Sequence, residues 1–211
     1  MWMKIAAVVL AGAVSLSASG CGGPGPDGAG AGAEEEAIGE ILPQKLAPPA
    51  DMPEEELRPS PADDATFAEN LAYELRRKTL DMARAPGKVT AECPKDVGSK
   101  SGTQVTCTAT YEGLDVVWNV SIGEKSGWSD NVVEFEAAPG KGVLTRDGVA
   151  RLLYGNYRDS IDYALCNDIP EAVLVPLDTD TAYACEVVFK GKKPIGFNEK
   201  VRVTEAGPRV Y

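Results

Sequence analysis

The sequence predicts an α+β fold of two small modules, each a helix packed on a three- to four-stranded antiparallel sheet and closed by one disulfide. Three observations carry that prediction. Apolar residues recur at helical spacing in two stretches, Phe67, Leu71, Leu75, Met82 and then Val149, Leu152, Leu153, Tyr157, Ile161. Each stretch is followed by runs that alternate apolar and polar residues, as strands with one buried face do. Four cysteines fall in matching places after the two helical stretches.

The chain opens with Lys4, an apolar run over residues 5–14 and small residues up to Gly20, the three parts of an export signal. The apolar run is too short for the roughly 20 residues that a helix needs to cross a bilayer. The segment ends Ala18-Ser19-Gly20-Cys21, which resembles the lipobox of bacterial lipoproteins. The resemblance implies that Cys21 is alkylated with diacylglycerol, that the chain is cut before it, and that the new amino group takes a fatty acid such as palmitate. At about 0.8 kcal/mol per buried methylene, two or more acyl chains are needed for a stable anchor. Cys21 is therefore the expected lipid anchor, and the membrane the expected partner through that lipid. The expected location is the extracytoplasmic face of the cell membrane.

Residues 22–65 hold 8 of the 15 prolines and few large apolar residues beyond Ile38, Ile41, Leu42, Leu46, Met52 and Leu57. Such a stretch buries too little surface to offset its ordering entropy, so 21–65 reads as a lipidated cysteine followed by a disordered, acidic Pro/Gly tether. Random-coil scaling gives the tether an rms reach of roughly 35–40 Å. The alternative is that AIGEILPQKL within it is a short motif that folds on a partner. Of the formal net charge of −11, residues 22–66 supply 11 acidic against 2 basic side chains. Residues 67–211, with 21 acidic and 18 basic side chains, are close to neutral and hold no basic cluster of the kind that nucleic acid selects, so no nucleic-acid partner is expected.

The first module spans 66–140. Thr66 with Glu69 three residues on is a capping box, which starts a helix running to about Ala83. A short strand over 89–93 follows. In TQVTCTATY, Val105, Cys107, Ala109 and Tyr111 face one way; in LDVVWNVSI, Leu114, Val116, Trp118, Val120 and Ile122 do so. Glu112-Gly113 between them marks a hairpin. A third strand is expected near 131–137. The second module spans 144–211: Thr145 caps a helix, Cys166 follows, then a loop with Pro170 and Pro176, then strands over 181–189 and 195–203 joined by KGKK. VTCTATYEG and YACEVVFKG both place a cysteine inside a strand with an aromatic four residues on and glycine two after that, which points to a tandem repeat. With Cys21 lipidated, four cysteines remain and three pairings are open. The repeat favours Cys93–Cys107 and Cys166–Cys185, loops for which the chain-entropy model gives about 3 kcal/mol each.

The segment VTAECPKDVGSKSGTQVTCTATYEGLDVVWNVSI also resembles the domain-of-unknown-function 4333 family of actinobacterial lipoproteins. The matching positions are Cys93, Pro94, Gly102, Thr106, Cys107 and Val120. The likeness covers about 34 residues directly, and the region 67–137 with the helix. The second module keeps the cysteine logic but replaces Cys-Pro with CNDIP. The resemblance implies an exported, membrane-anchored protein without an established activity.

No histidine occurs anywhere in the chain, which removes the commonest general base and the usual zinc ligands. Asp178 with Asp180, and Glu134 with Glu136, are carboxylate pairs of the kind that acid–base chemistry uses, yet such spacing is ordinary on solvated strand faces. No nucleophile motif, phosphate loop or calcium loop accompanies them. The expectation is a non-catalytic binding or interaction module without cofactor or metal, whose partner is an envelope protein or wall glycan. An inhibitor of an extracellular enzyme is the runner-up, and a carboxylate-based envelope enzyme the third reading. Trp118 is expected in the core. Candidate ligand contacts are Trp128, in the turn SGWSD, and Lys190, Lys192 and Lys193 at a basic hairpin tip.

Overall fold

The computed structural model describes residues 38–52, 57–127 and 133–211. Among them run, in chain order, β1 (Gln44–Leu46), α1 (Phe67–Ala83), β2 (Val89–Glu92), β3 (Gln104–Tyr111), β4 (Leu114–Lys125), β5 (Val133–Pro139), β6 (Gly142–Thr145), α2 (Arg146–Tyr157), β7 (Ile161–Cys166), β8 (Ala172–Val175), β9 (Ala184–Phe189), β10 (Glu199–Thr204) and β11 (Gly207–Val210). The strands form three sheets with antiparallel neighbours: β2-β3-β4-β5, then β1-β7-β9-β10-β11, and the pair β6-β8. The α+β class holds.

Helix α1 begins where its cap predicts. The Thr66 amide donates to Glu69 Oε2 at 2.7 Å, and the Glu69 amide donates to Thr66 Oγ1 at 3.3 Å. The hydrogen bonds from Thr66 hold the Glu69 carboxyl below its ordinary range. The helix ends at Arg84, in the left-handed region with φ 51°, its amide donating to Leu80 O. Next to it the β3–β4 hairpin turns on Glu112 and Gly113, with φ 46° and 83°, as a two-residue turn of matching twist requires. Its inward side chains Cys107, Ala109, Tyr111, Val116, Trp118, Val120 and Ile122 are buried, Trp118 at 1 % exposure, while Leu114 at the turn is only half-buried. The Trp118 indole N–H donates to Thr79 Oγ1 at 3.2 Å, and that hydroxyl donates to Leu75 O at 2.7 Å, so no polar atom of this trio is left unpaired in the core.

Both disulfides join directly opposed residues of neighbouring strands. Glu92 faces Thr108, so Cys93 meets Cys107, with Cα atoms 4.5 Å apart. Cys166 is itself the register partner of Cys185, with Cα atoms 4.1 Å apart. The two halves also share an order of elements. Each has a helix, a strand ending at or just before a cysteine, a cysteine-bearing strand and two further strands, adjacent in that order.

The structure departs from expectation in four places. Helix α2 stops at Tyr157, because Arg158 turns to positive φ, and Ile161 opens β7 instead of closing a helical stripe. The last long strands start late, at Ala184 and Glu199, since Pro194 and Gly196 (φ 78°) interrupt the second run. Strands β6, β8 and β11 had no alternation to reveal them; all of β6 is buried. Residues 44–46, expected inside a structureless tether, form β1 on the edge of the five-stranded sheet. Leu46 is 2 % exposed, and the Gln44 amide both donates to Ile169 O and accepts from its N–H, each at 3.0 Å.

Nor do the halves stand as separate modules. One core of buried residues runs from Leu46 and Leu71 through Trp118 to Val149 and Val203. Helix α1 packs on β2 and β3 of the first half and on β6 and β11 of the second. A single hydroxyl locks the seam: Thr145 Oγ1 donates to Ala83 O at 2.7 Å and accepts from the Gly148 amide at 2.8 Å. Gly148 is required there, since a Cβ on it would sit 2.4 Å from Ala83 O.

Candidate functional site

The turn that carries Lys190, Lys192 and Lys193 closes β9. The Lys192 amide donates to Phe189 O at 3.0 Å, with Gly191 at φ 74° in the position that favours glycine. Beyond the turn, residues 193–198 run as an irregular connection to β10, and a buried carboxylate shapes it. Glu186 on β9 is 3 % exposed; its Oε1 accepts from the Ile195 amide at 2.6 Å, and both oxygens accept from the Gly196 amide at 3.1 Å. Backbone donors there satisfy the buried carboxyl oxygens in place of water.

The N-terminal strip of the described chain is stitched to the same connection. The Ile38 and Gly39 amides donate to Ile195 O at 2.5 and 3.1 Å, and the Asn198 side-chain amide donates to Glu40 O at 3.0 Å. Two glycines allow the approach: a Cβ on Gly196 would lie 2.3 Å from Gly39 O. A groove of about 340 Å³ opens beside this junction. Tyr157, Phe189, Ile195 and Phe197 line it, and Lys192, Lys193 and Glu199 are on its border. The Tyr157 and Phe189 rings meet edge to face at 5.5 Å. Phe189 and Phe197 are 42 % and 63 % exposed, an uncommon placement for such side chains. The arrangement offers apolar contact beside ammonium groups.

Other polar sites are engaged in holding the fold. A cleft of about 480 Å³ runs between Tyr111, Glu112 and Leu114 on one side and Arg146, Asp147 and Glu171 on the other. Burial pushes the Tyr111 hydroxyl up to about 12, and it donates to Pro86 O at 3.1 Å. Arg146 Nε donates to Ile169 O. Asp180 pairs with Arg202 at 2.6 Å, while Glu134 and Glu136 point to solvent from β5. Among the described residues, no group of three His, Cys, Asp or Glu side chains is placed to hold a metal.

Of the sequence-derived candidates, Cys93, Cys107, Cys166 and Cys185 form the two disulfides. Lys192 and Lys193 border the groove and Lys190 belongs to the same turn without lining it, whereas Cys21 and Trp128 lie outside the described residues. Sequence reasoning missed Phe189 and Phe197 as surface aromatics, and Tyr157, half-buried against the core, as the ring that Phe189 meets. The signal was present in KKPIGF: proline and glycine two residues apart do not sustain a ladder, so Phe197 has no strand to hold it in the core. Comparison with known proteins gives no match: no family model, no curated protein and no solved structure matches the chain.

Proposed function

We propose that this chain is a lipid-anchored, non-catalytic interaction protein of the cell envelope, held at the outer face of the cell membrane through Cys21. The export signal, the lipobox-like ASGC and the disulfides of an oxidising compartment support the location. One observation carries the interaction reading: exposed Phe189 and Phe197 stand beside the Lys190–Lys193 turn, on a groove that a buried carboxylate and two facing glycines keep in shape. The likeness of residues 67–137 to the domain-of-unknown-function 4333 family belongs to the same reading, and the shared order of elements supports descent of the two halves from one duplicated unit.

Fractionation and crosslinking test it. The wild-type chain is expected in the membrane fraction and Cys21→Ala in the soluble one. Chain lacking Cys21, crosslinked to the envelope fraction, is expected to lose its partner on Phe197→Ser, on charge reversal in the 190–193 turn, or on Trp128→Ala if that loop contributes. Capture unchanged by all three variants would remove this surface as the contact.

A further inference from the structure

We propose that the domain holds a second site, a pocket that binds a phosphoryl group through Arg84, Arg151 and Arg209. It stands apart from the aromatic groove and does not depend on the Cys21 anchor. The pocket has a volume of about 200 Å³ and opens where the end of α1, one face of α2 and the start of β11 meet. Gly148, Arg151 and Gly155 fall on one face of α2, three and four residues apart, and the two glycines leave the space beside Arg151 open. Arg84 stands at the end of α1, and Pro208 and Arg209 belong to β11. No acidic side chain lines the pocket.

Each arginine spends part of its guanidinium on the fold and keeps its charge. Arg84 Nε donates to Ala206 O at 3.1 Å, and its stem lies over Gly207, where a Cβ would come within 2.6 Å of Arg84 Cγ. Arg151 donates from Nε to Arg84 O at 2.9 Å and from a second nitrogen to Ala50 O at 2.5 Å. Arg209 donates to Pro208 O at 3.0 Å. A guanidinium carries five N–H donors in a fixed fork, so these neutral carbonyls orient the three groups without neutralising them. Among the described residues, none of the three pairs with a carboxylate, whereas Glu74 meets Arg77, and Asp180 meets Arg202 opposite Arg209 on β10. The acidic residues nearest along the chain are turned elsewhere. Asp81 acts on Arg77, Asp147 lines the cleft of Tyr111, and Asp51, Asp159 and Glu205 are exposed. The C-terminal ends of α1 and α2 supply about half a negative charge each, which leaves most of the positive charge unmet. Three forks around one small space suit the terminal oxygens of a phosphoryl group better than the two of a carboxylate.

The test is calorimetric titration of inorganic phosphate into the oxidised chain 22–211. That chain keeps the fold, since every core residue and both disulfides lie in the compact unit from Glu35 to Tyr211. Saturable binding is expected, with none from sodium chloride at matched ionic strength, and phosphate should raise the melting temperature. Arg209→Gln is the first variant, because its side chain bonds only the carbonyl beside it; affinity should fall about tenfold or more. Arg151→Gln should act similarly, while Arg77→Gln, which removes a positive charge from α1 outside the pocket, should change nothing. Circular dichroism and melting confirm that each variant folds. Acetate should bind about tenfold more weakly than phosphate. Glycerol phosphate separates the sources: tighter binding than inorganic phosphate assigns the site to a terminal phosphomonoester, weaker binding to the free ion. No saturable binding, equal affinity for acetate, or affinity unaltered in both Arg209→Gln and Arg151→Gln would overturn the proposal.

Discussion

Thr145 shows how much one hydroxyl can hold. It ends β6, caps α2 through the Gly148 amide and donates to the last carbonyl of α1. Thr145→Ala removes the cap and leaves Ala83 O buried without its donor, so a loss of about 2–3 kcal/mol is expected in urea unfolding. Thr145→Ser should recover most of it. Tyr111 gives a pH signature. Its folded pKa lies near 12, above the usual value of 10, because burial disfavours the phenolate. Above pH 10 the unfolded chain releases this proton while the folded chain keeps it. Stability from this group is therefore fully present below pH 10 and falls as pH rises toward 12, by about 2–3 kcal/mol. Stability curves of wild type and Tyr111→Phe are expected to converge across that window; parallel curves would refute the assignment.

Elements differ in how plainly the sequence announces them. Helix α1 and the β3–β4 hairpin are legible because they are long, amphipathic and closed by local signals: a capping box, a Glu-Gly turn. The period of two also places Trp118 in the core correctly. Strands β1, β6, β8 and β11 have three or four residues each, too few to display a period. Their partners also lie far away in sequence, as Leu46 opposite Ala164 illustrates. Composition misled for 44–46 for a related reason: a window poor in apolar residues says nothing about whether the leucines it does hold find pockets. Leu42 and Leu46 find them. Leu46→Ala is expected to cost about 2–5 kcal/mol, far more than truncation of a free tether residue, and to expose the edge of β7 to hydrogen exchange. A change under about 0.5 kcal/mol would mean that β1 contributes nothing to the fold. The groove was half legible. The lysine turn follows from the string KGKK, but its aromatic neighbours depend on the Glu186 contacts with Ile195 and Gly196, which no local pattern encodes.

At the scale of the molecule, the shared core makes the halves interdependent. Because α1 covers β6 and β11 as well as β2 and β3, residues 66–140 alone would expose the face that Val143, Leu144 and Val203 cover. That fragment is expected to show no cooperative melting even with Cys93–Cys107 oxidised, whereas the whole chain unfolds in one transition. The domain thus has one shared core, and its apolar, lysine-bearing end lies where residues 38–40 are hydrogen-bonded to it. That geometry has a purpose if the chain is anchored close by. The most direct test is the intact mass of the protein extracted from its native membrane, with fragmentation of the N-terminal peptide. The account predicts a chain that begins at Cys21 and carries diacylglycerol on its sulfur. A chain that begins elsewhere, or a Cys21 with a free thiol, would contradict it.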